Sequence, residues 1–364
     1  MVKIMDEIKT ITLIITERCN LSCIYCYEDK KSQKNMSFET AKGIIDNELA
    51  SADYSKIMIE FFGGEPLLNF SLIKDIVSYV NKTYPQKDVH FFATTNGTCA
   101  HGEVKLWLRH NVKQFTLGLS FDGTKQAQNL NRSNSFDKIN LALFKELYPS
   151  QPLKMTISEK SLPLFFESVK YLTELGFDVS CNLAYMVDWL NESNRIVLEQ
   201  QLNLLIDYYA NNPSVKRCSM LDYDISILAH PLADDRIVKK FCGCGTHMSV
   251  YGVDGKCYPC QLFSPVAANE NAIQSKDFHV GRDIPKDCYP HECNDCYFER
   301  ICSFCLGSNY LSTGNMFMPD FNRCRLNKLI FQANAKLRAL EWESGIVKTD
   351  DEQGLLRSIL TILA

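Results

Sequence analysis

The sequence predicts an α/β protein followed by a cysteine-dense region that metal holds together. Three observations carry this. From Thr10 to about residue 185, short β-rich runs alternate with longer amphipathic segments, the pattern of βα units around a parallel sheet. The residues with chemical potential sit where the β-rich runs end, the side on which such folds place chemistry. Of the sixteen cysteines in 364 residues, ten lie between Cys242 and Cys324.

The strand candidates, in order, are TITLIIT, KIMIEFFGG, HFFATTNG, FTLGLSFDG, LKMTIS and DVSCNLAY, each rich in β-branched or aromatic residues. Between them lie the helical patterns FETAKGIIDNELASA, FSLIKDIVSYVNKTY, VKLWLRHN, FDKINLALFKELY and LPLFFESVKYLTELGF. Six such units make a partial barrel or an open doubly wound sheet. A further helical pattern, NRIVLEQQLNLLIDYYA, is closed by Asn-Asn-Pro. From Phe241 to Cys324, Gly, Pro and Cys punctuate short segments with too little periodic apolar sequence for a core of their own. RLNKLIFQANAKLRALEWESG then reads as a terminal helix, and the tail to Ala364 shows no assignable element.

Hydrophobic residues make up 46% of the chain, enough for a substantial core and two domains. With 39 basic against 43 acidic residues the net charge is −4, so there is no electrostatic footprint for nucleic acid. The one local basic run, Lys30, Lys31 and Lys34, reads as a solvated loop rather than a phosphate contact. No apolar run approaches the roughly 18 residues of a membrane helix, and Met1 to Thr10 carries Lys and Asp where a signal peptide has its apolar core. The expected location is cytoplasmic, with no nucleic acid and no membrane as partner. In that reducing compartment the cysteines point to metal ligation rather than disulfides.

The stretch ERCNLSCIYCYE sets Cys19, Cys23 and Cys26 at C-x3-C-x2-C spacing straight after the first strand. A thiolate-held four-iron cluster takes four cysteines. With three, one iron is left open, and an open coordination position marks a reactive site. Spacing alone also admits a zinc site completed by a distant His, or a redox pair at Cys23 and Cys26. CNLSCIYC resembles the C-x3-C-x-aromatic-C signature of the radical S-adenosylmethionine (SAM) enzymes. The resemblance implies a [4Fe-4S] cluster on these three cysteines, with SAM chelating the fourth iron and yielding a 5′-deoxyadenosyl radical that abstracts hydrogen. It also implies that Tyr25, in the aromatic slot, lies against the adenine; by itself Tyr25 could be an ordinary core aromatic.

The same resemblance extends over residues 10 to about 185. Gly63-Gly64-Glu65-Pro66, ending the second strand, matches the family's GGEP, whose backbone and Glu bind the methionine ammonium. Glycines there let backbone approach a ligand closely. Ser120 and Arg132 match positions that contact the ribose and the methionine carboxylate, and Arg suits a carboxylate geometrically. Thr94-Thr95-Asn96-Gly97 follows the third strand and Ser120-Phe121-Asp122-Gly123 the fourth, with Asp122 read as a turn former rather than a ligand contact.

FCGCGTHMSVYGVDGKCYPC and ECNDCYFERICSFC contain G-x4-C from Gly255 to Cys260 and C-x2-C-x5-C-x2-C at Cys293, Cys296, Cys302 and Cys305, with Cys324 beyond. Alone, these pairs would suit a zinc ribbon. After the first loop they resemble the SPASM domain, which holds two auxiliary [4Fe-4S] clusters, although that pattern has one more residue before its fourth paired cysteine. The resemblance implies that Cys293, Cys296, Cys302 and Cys324 close the outer cluster. Cys260, Cys305 and one or both of Cys242 and Cys244 would hold the inner one. If both bind, the inner cluster is saturated; if one binds, an iron is open to a substrate thiolate. Cys257 and Cys288 match nothing and count as spare. Cys99, Cys181 and Cys218 read as small buried hydrophobes, and His101, His110, His230, His247, His279 and His291 are too scattered to read as ligands.

Together these resemblances imply a partial (β/α)6 TIM-like barrel over residues 8–186, a helical bridging region over 187–240, a SPASM domain over 241–325, and a C-terminal helix and tail over 326–364. The implied activity is that of a radical SAM oxidoreductase maturing a ribosomally synthesised (RiPP) precursor peptide, with a thioether, C–C or C–O cross-link as product. Implied partners are that peptide and an electron donor such as flavodoxin or ferredoxin. Only about ten residues precede the first strand, where many maturases carry a leader-binding domain. Leader recognition therefore falls to a separate protein or to the barrel and residues 186–240. An anaerobic sulfatase-maturing (formylglycine-generating) enzyme would have Asp after the G-x4-C cysteine; here Gln261 stands there, an amide that cannot act as a base near neutral pH. From a different class, the alternative is a non-catalytic zinc-binding interaction protein.

Overall fold

The computed structural model describes residues 8–28, 31–51, 54–230, 237–239, 242–281, 283–285, 288, 290–294, 296–346 and 351–364. Lys30 and most of the N-terminal stretch lie outside the described residues. The chain forms two compact units. Met1–Ser120, Arg132–Gln151 and Cys242–Arg282 make the first; Phe121–Asn131, Pro152–Phe241 and Asp283–Ala364 make the second.

In the first unit β1 (Ile8–Thr16), β2 (Lys56–Gly63), β3 (Asp88–Thr95) and β4 (Phe115–Leu119) run parallel in the order β4-β3-β2-β1. β1 is buried from Ile11 to Thr16, as a strand covered on both faces should be. β2 alternates, burying Ile57, Ile59 and Phe61. The connecting helices are α1 (Phe38–Ser51), α2 (Phe70–Thr83) and α3 (Gly102–Asn111). α2 buries Leu72, Ile73, Ile76, Val77 and Val80, one apolar stripe. Phe61 stacks with both Phe91 and Phe115, at centroid distances of 6.2 and 6.1 Å, which ties three neighbouring strands into one core.

The short helix α4 (Lys125–Asn131) follows β4 and was not anticipated; α5 (Leu141–Leu147) was, and Asn140 caps it. In the second unit β5 (Leu153–Ile157) and β6 (Val179–Leu183) pair in parallel, with α6 (Phe165–Glu174) between them in sequence. α7 (Glu192–Asn211) is the helix expected after residue 190, and its Asn191 cap accepts from Asn194 N at 2.9 Å. All six anticipated strands are present, and the chain has the α/β fold class expected from its sequence.

The remaining elements are β7 (Ile237–Lys239), β8 (Met248–Tyr251), β9 (Cys257–Tyr258), α8 (Pro265–Ala268), β10 (Asp283–Pro285), α9 (His291–Asn294), α10 (Leu306–Thr313), α11 (Phe321–Glu343) and α12 (Glu352–Leu363). β8 pairs in parallel with β1 and β9 extends the sheet beyond it. Val250 and Tyr258 pack with Ile14 and Val266. Part of the stretch expected to depend on metal is therefore held by a sheet edge and apolar contacts; MSVY is too short for a periodic signal. The tail, in which no element could be assigned from sequence, holds α12. Asp351 caps it, accepting from Gly354 N at 2.9 Å, and Leu355, Ile359 and Ile362 pack with Ile225, Leu228, Phe331 and Ala335. Among the described residues no helix is long and apolar enough to cross a membrane.

Candidate functional site

The loop after β1 is positioned by β1 itself. Thr16 Oγ1 accepts from Arg18 N at 3.1 Å and donates to Asn35 Oδ1 at 2.6 Å, and Cys26 N donates to Cys23 O at 3.1 Å, closing a turn. The end of β2 is zipped onto this loop: Gly64 N donates to Thr16 O at 3.1 Å and Glu65 N to Arg18 O at 2.8 Å. Gly64 has no room for a side chain, since a Cβ there would lie 2.3 Å from Arg18 O and 3.0 Å from Cys19 Cβ. Gly63, at φ +140°, approaches Thr16 O as closely. Beyond the ligand approach expected of them, these glycines admit the cysteine loop.

Glu65 is fully buried. Its Oε1 accepts from Leu67 N at 3.1 Å and Thr95 Oγ1 at 2.7 Å, and its Oε2 from Asn96 N at 2.8 Å. Burial pushes its carboxyl up, against those three donors. A carboxylate offers about four acceptor positions, so about one is left on Oε2. Pro66 starts the single turn that Glu65 caps. A second network joins the cysteine loop to the end of β3. Asn20 Nδ2 donates to Thr98 Oγ1 at 2.8 Å, and Asn96 Nδ2 donates to Asn20 Oδ1 at 2.9 Å. Asn20 was not singled out from sequence; its place between two cysteines was the available signal.

The guanidinium of Arg132 lies over the ring of Tyr25. Ser120 sits just past β4, its N donating to Thr95 O at 2.9 Å. Asp122 departs from the sequence reading: it is buried, with Oδ1 accepting from Thr156 N and Oδ2 from Asn131 Nδ2, both at 3.0 Å. It is a strut joining α4 to β5 rather than a turn former. Cys99 also departs. It is only partly buried, 3.7 Å from Asn20 Nδ2, and its thiol is pushed up by burial and by the charge of Glu65. Cys181 and Cys218 are buried, as expected. Lys31 is no solvated lysine, since its Nζ donates to Leu21 O at 3.0 Å and it is partly buried.

In the second unit Cys293, Cys296, Cys302, Cys305 and Cys324 line one cavity of about 450 Å³, together with Arg323 and Lys328. Burial and the neighbouring Cys324 and Cys296 push Cys293 up to about 11, and burial with the same neighbours pushes Cys302 up to about 12. Thiols crowded in this way resist ionising together, so a strongly cationic centre would be needed to hold them as thiolates. In the first unit Cys244 and Cys260 are buried and share a hydrogen bond, which holds Cys260 below its ordinary value; Cys242 is exposed. Cys257 Sγ lies 3.2 Å from Ser275 Oγ. His230 Nε2 pairs with Asp351 Oδ2 at 2.5 Å.

All sixteen cysteines are free thiols. Three of them on one loop, with backbone donors and a close-packed glycine edge beside them, fit a cluster ligated at three corners. Among the described residues no three or more His, Cys, Asp and Glu side chains meet as for a single ion. A four-iron cluster takes each thiolate at its own corner and does not require such convergence.

Comparison with known proteins bears on the family and the fold. Residues 13–198 match the model of the radical SAM superfamily. An uncharacterized protein of Methanocaldococcus jannaschii is 36% identical over 180 residues, 47% of this chain; the match spans only 61% of that relative's length. The radical SAM cyclopropyl synthase TigE of Paramaledivibacter caminithermalis is 23% identical over 96% of this chain and 77% of its own. Among solved structures, native anSMEcpe with bound AdoMet and Cp18Cys peptide superposes with a TM-score of 0.67 at 19% identity, covering 94% of this chain and 100% of that one.

Proposed function

The chain belongs to the radical SAM superfamily and is an enzyme of that class, and from this premise we propose that it matures a precursor peptide by removing hydrogen from an unactivated carbon. The observation that carries the reading is the zipper of Gly64 and Glu65 onto the Cys19, Cys23 and Cys26 loop, with Arg132 over Tyr25. Superfamily membership implies a [4Fe-4S] cluster and SAM. When bound, these supply the reducing electron and the deoxyadenosyl radical that takes the hydrogen.

The chain's own part is placement. Cys19, Cys23 and Cys26 would hold the cluster, and the remaining acceptor position of Glu65 would accept a hydrogen bond from the methionine ammonium. Arg132 pairs with the methionine carboxylate, Tyr25 lies along the adenine, and Ser120 reaches the ribose. Cys293, Cys296, Cys302 and Cys324 would hold an outer auxiliary cluster, and Cys260 and Cys305 with one or both of Cys242 and Cys244 an inner one. These would accept the electron left on the product radical, so that a cross-link forms with net loss of two hydrogens, one as an atom and one as a proton. The domain limits at residues 186, 240 and 325 are part of the same proposal.

A peptide as substrate is supported by the full-length fold shared with anSMEcpe, whose solved structure holds a peptide. Gln261, in place of an acid, disfavours formylglycine formation. The test is anaerobic reconstitution followed by incubation with short cysteine- or aromatic-rich peptides encoded beside the gene. About twelve irons, deoxyadenosine and a product lighter by two hydrogens support the reading. Stoichiometric zinc without visible absorbance would end it, and an aldehyde on a cysteine-containing peptide would favour the sulfatase-maturing alternative.

A further inference from the structure

Lys31 lies outside every motif that identifies the family, yet it places a second cation, besides Arg18, at the cysteine loop. Its Nζ donates to Leu21 O at 3.0 Å, which pins the ammonium to the backbone between Cys19 and Cys23. Burial works against its charge, and Cys26, Cys19 and Cys23, in that order, act in its favour, so all three thiols are within its field. Two carboxylates share the surroundings. Glu28 is 8% exposed, and burial pushes its carboxyl up to about 7; Glu17 is hydrogen-bonded by Ser32. Lys31 is thus a cation set beside the three thiols, held by a backbone bond rather than left to wander in solvent.

We infer that Lys31 tunes the reduction potential of the cluster ligated by Cys19, Cys23 and Cys26, by keeping a positive charge fixed beside those thiolates. A cluster's potential depends on net charge, hydrogen bonding and exposure around its sulfurs. An ammonium in a partly buried position interacts more strongly than one in water, and it favours the state that carries one more electron. The inference rests on the loop being the cluster site. Lys31 is not a catalytic residue; it acts through space on the group that its neighbours hold.

The test is a redox titration, followed by electron paramagnetic resonance, of reconstituted full-length wild type, Lys31→Met, Lys31→Gln and Lys31→Arg. The relevant signal is the one missing from a variant with Cys19, Cys23 and Cys26 all changed to Ala. Both neutral variants should be about tenfold less reduced at a given solution potential, a midpoint about 59 mV lower for one electron. Lys31→Arg should match wild type. A Lys31→Gln midpoint equal to wild type overturns the inference, because Gln keeps a donor for Leu21 O and removes only the charge. A shift in Lys31→Arg as large as in Lys31→Gln overturns it equally, as does failure of both neutral variants to retain loop iron, which would make the role structural. If wild type holds no more iron than the triple Ala variant, the cluster reading itself fails, a result visible before any potential is measured.

Discussion

Arg132 holds its guanidinium carbon 5.3 Å from the ring centroid of Tyr25. The contact joins the aromatic slot of the cysteine loop to a residue far along the chain, and it prearranges two groups that the proposed function assigns to opposite ends of SAM. A cation held over an aromatic face is stabilised by about 0.5 to 2 kcal/mol.

Arg132→Ala should therefore weaken SAM binding by at least about tenfold, through loss of a bidentate partner for carboxylate. Lys at position 132 should not restore it, because a point charge lacks the planar fork. Calorimetry on the reconstituted protein measures both, and an affinity unchanged in Arg132→Ala would sink the assignment.

Gly64→Ala should cost about 1 to 3 kcal/mol of stability and most of the loop's iron, because the new Cβ meets Arg18 O and Cys19 Cβ. Gly43→Ala is the matched control. It lies within α1 with nothing inside 4 Å, and it should gain about 0.5 to 1 kcal/mol. Urea denaturation and iron determination on both variants decide the matter.

Glu65→Gln should destabilise the apoprotein by about 1 to 3 kcal/mol, since an amide NH2 would face one of the donors, Leu67 N, Thr95 Oγ1 or Asn96 N, that the carboxylate now satisfies. Equal stability of the two proteins in urea would mean that the carboxylate is not what holds the β2 and β3 ends together.

Asp46 gives a pH signature. Burial opposes its ionisation, but hydrogen bonds from Lys42, Tyr79 and Tyr84, at 2.6, 2.5 and 2.6 Å, outweigh it and hold the carboxyl at about 2. The folded value lies below the unfolded one, so this stabilisation is present above about pH 4 and is lost as pH falls through about 2. The side chain is 32% exposed, and solvent screening leaves on the order of 1 kcal/mol. Asp46→Asn should flatten the acid limb of apoprotein stability by that amount; an unaltered limb would contradict it.

Cys257→Ala should leave the iron content as in wild type, because Cys257 matches no ligand position of the cysteine pattern; its sulfur lies 3.2 Å from Ser275 Oγ. Loss of about four irons would instead make Cys257 a cluster ligand.

Much of the fold and the site was legible along the chain. Six strands announced themselves through β-branched and aromatic runs, and the long helices through their apolar stripes. α12 was not read from the tail, and its buried face of Leu355, Ile359 and Ile362 behind the Asp351 cap emerged only in the structure. β8 was not legible: four residues carry no period, and MSVY becomes a strand because β1 offers it a free edge.

Short-range chemistry determined that three thiols share one loop and that a Gly-Gly pair ends the second strand, because spacing within a dozen residues survives in any fold. Only the tertiary structure decided that those glycines make room for the loop, that Glu65 and Asp122 satisfy buried donors, and that Lys31 turns inward. The reason is physical. A buried donor or acceptor must find a partner among whatever segments the topology brings beside it, and that choice is not written in its sequence neighbours.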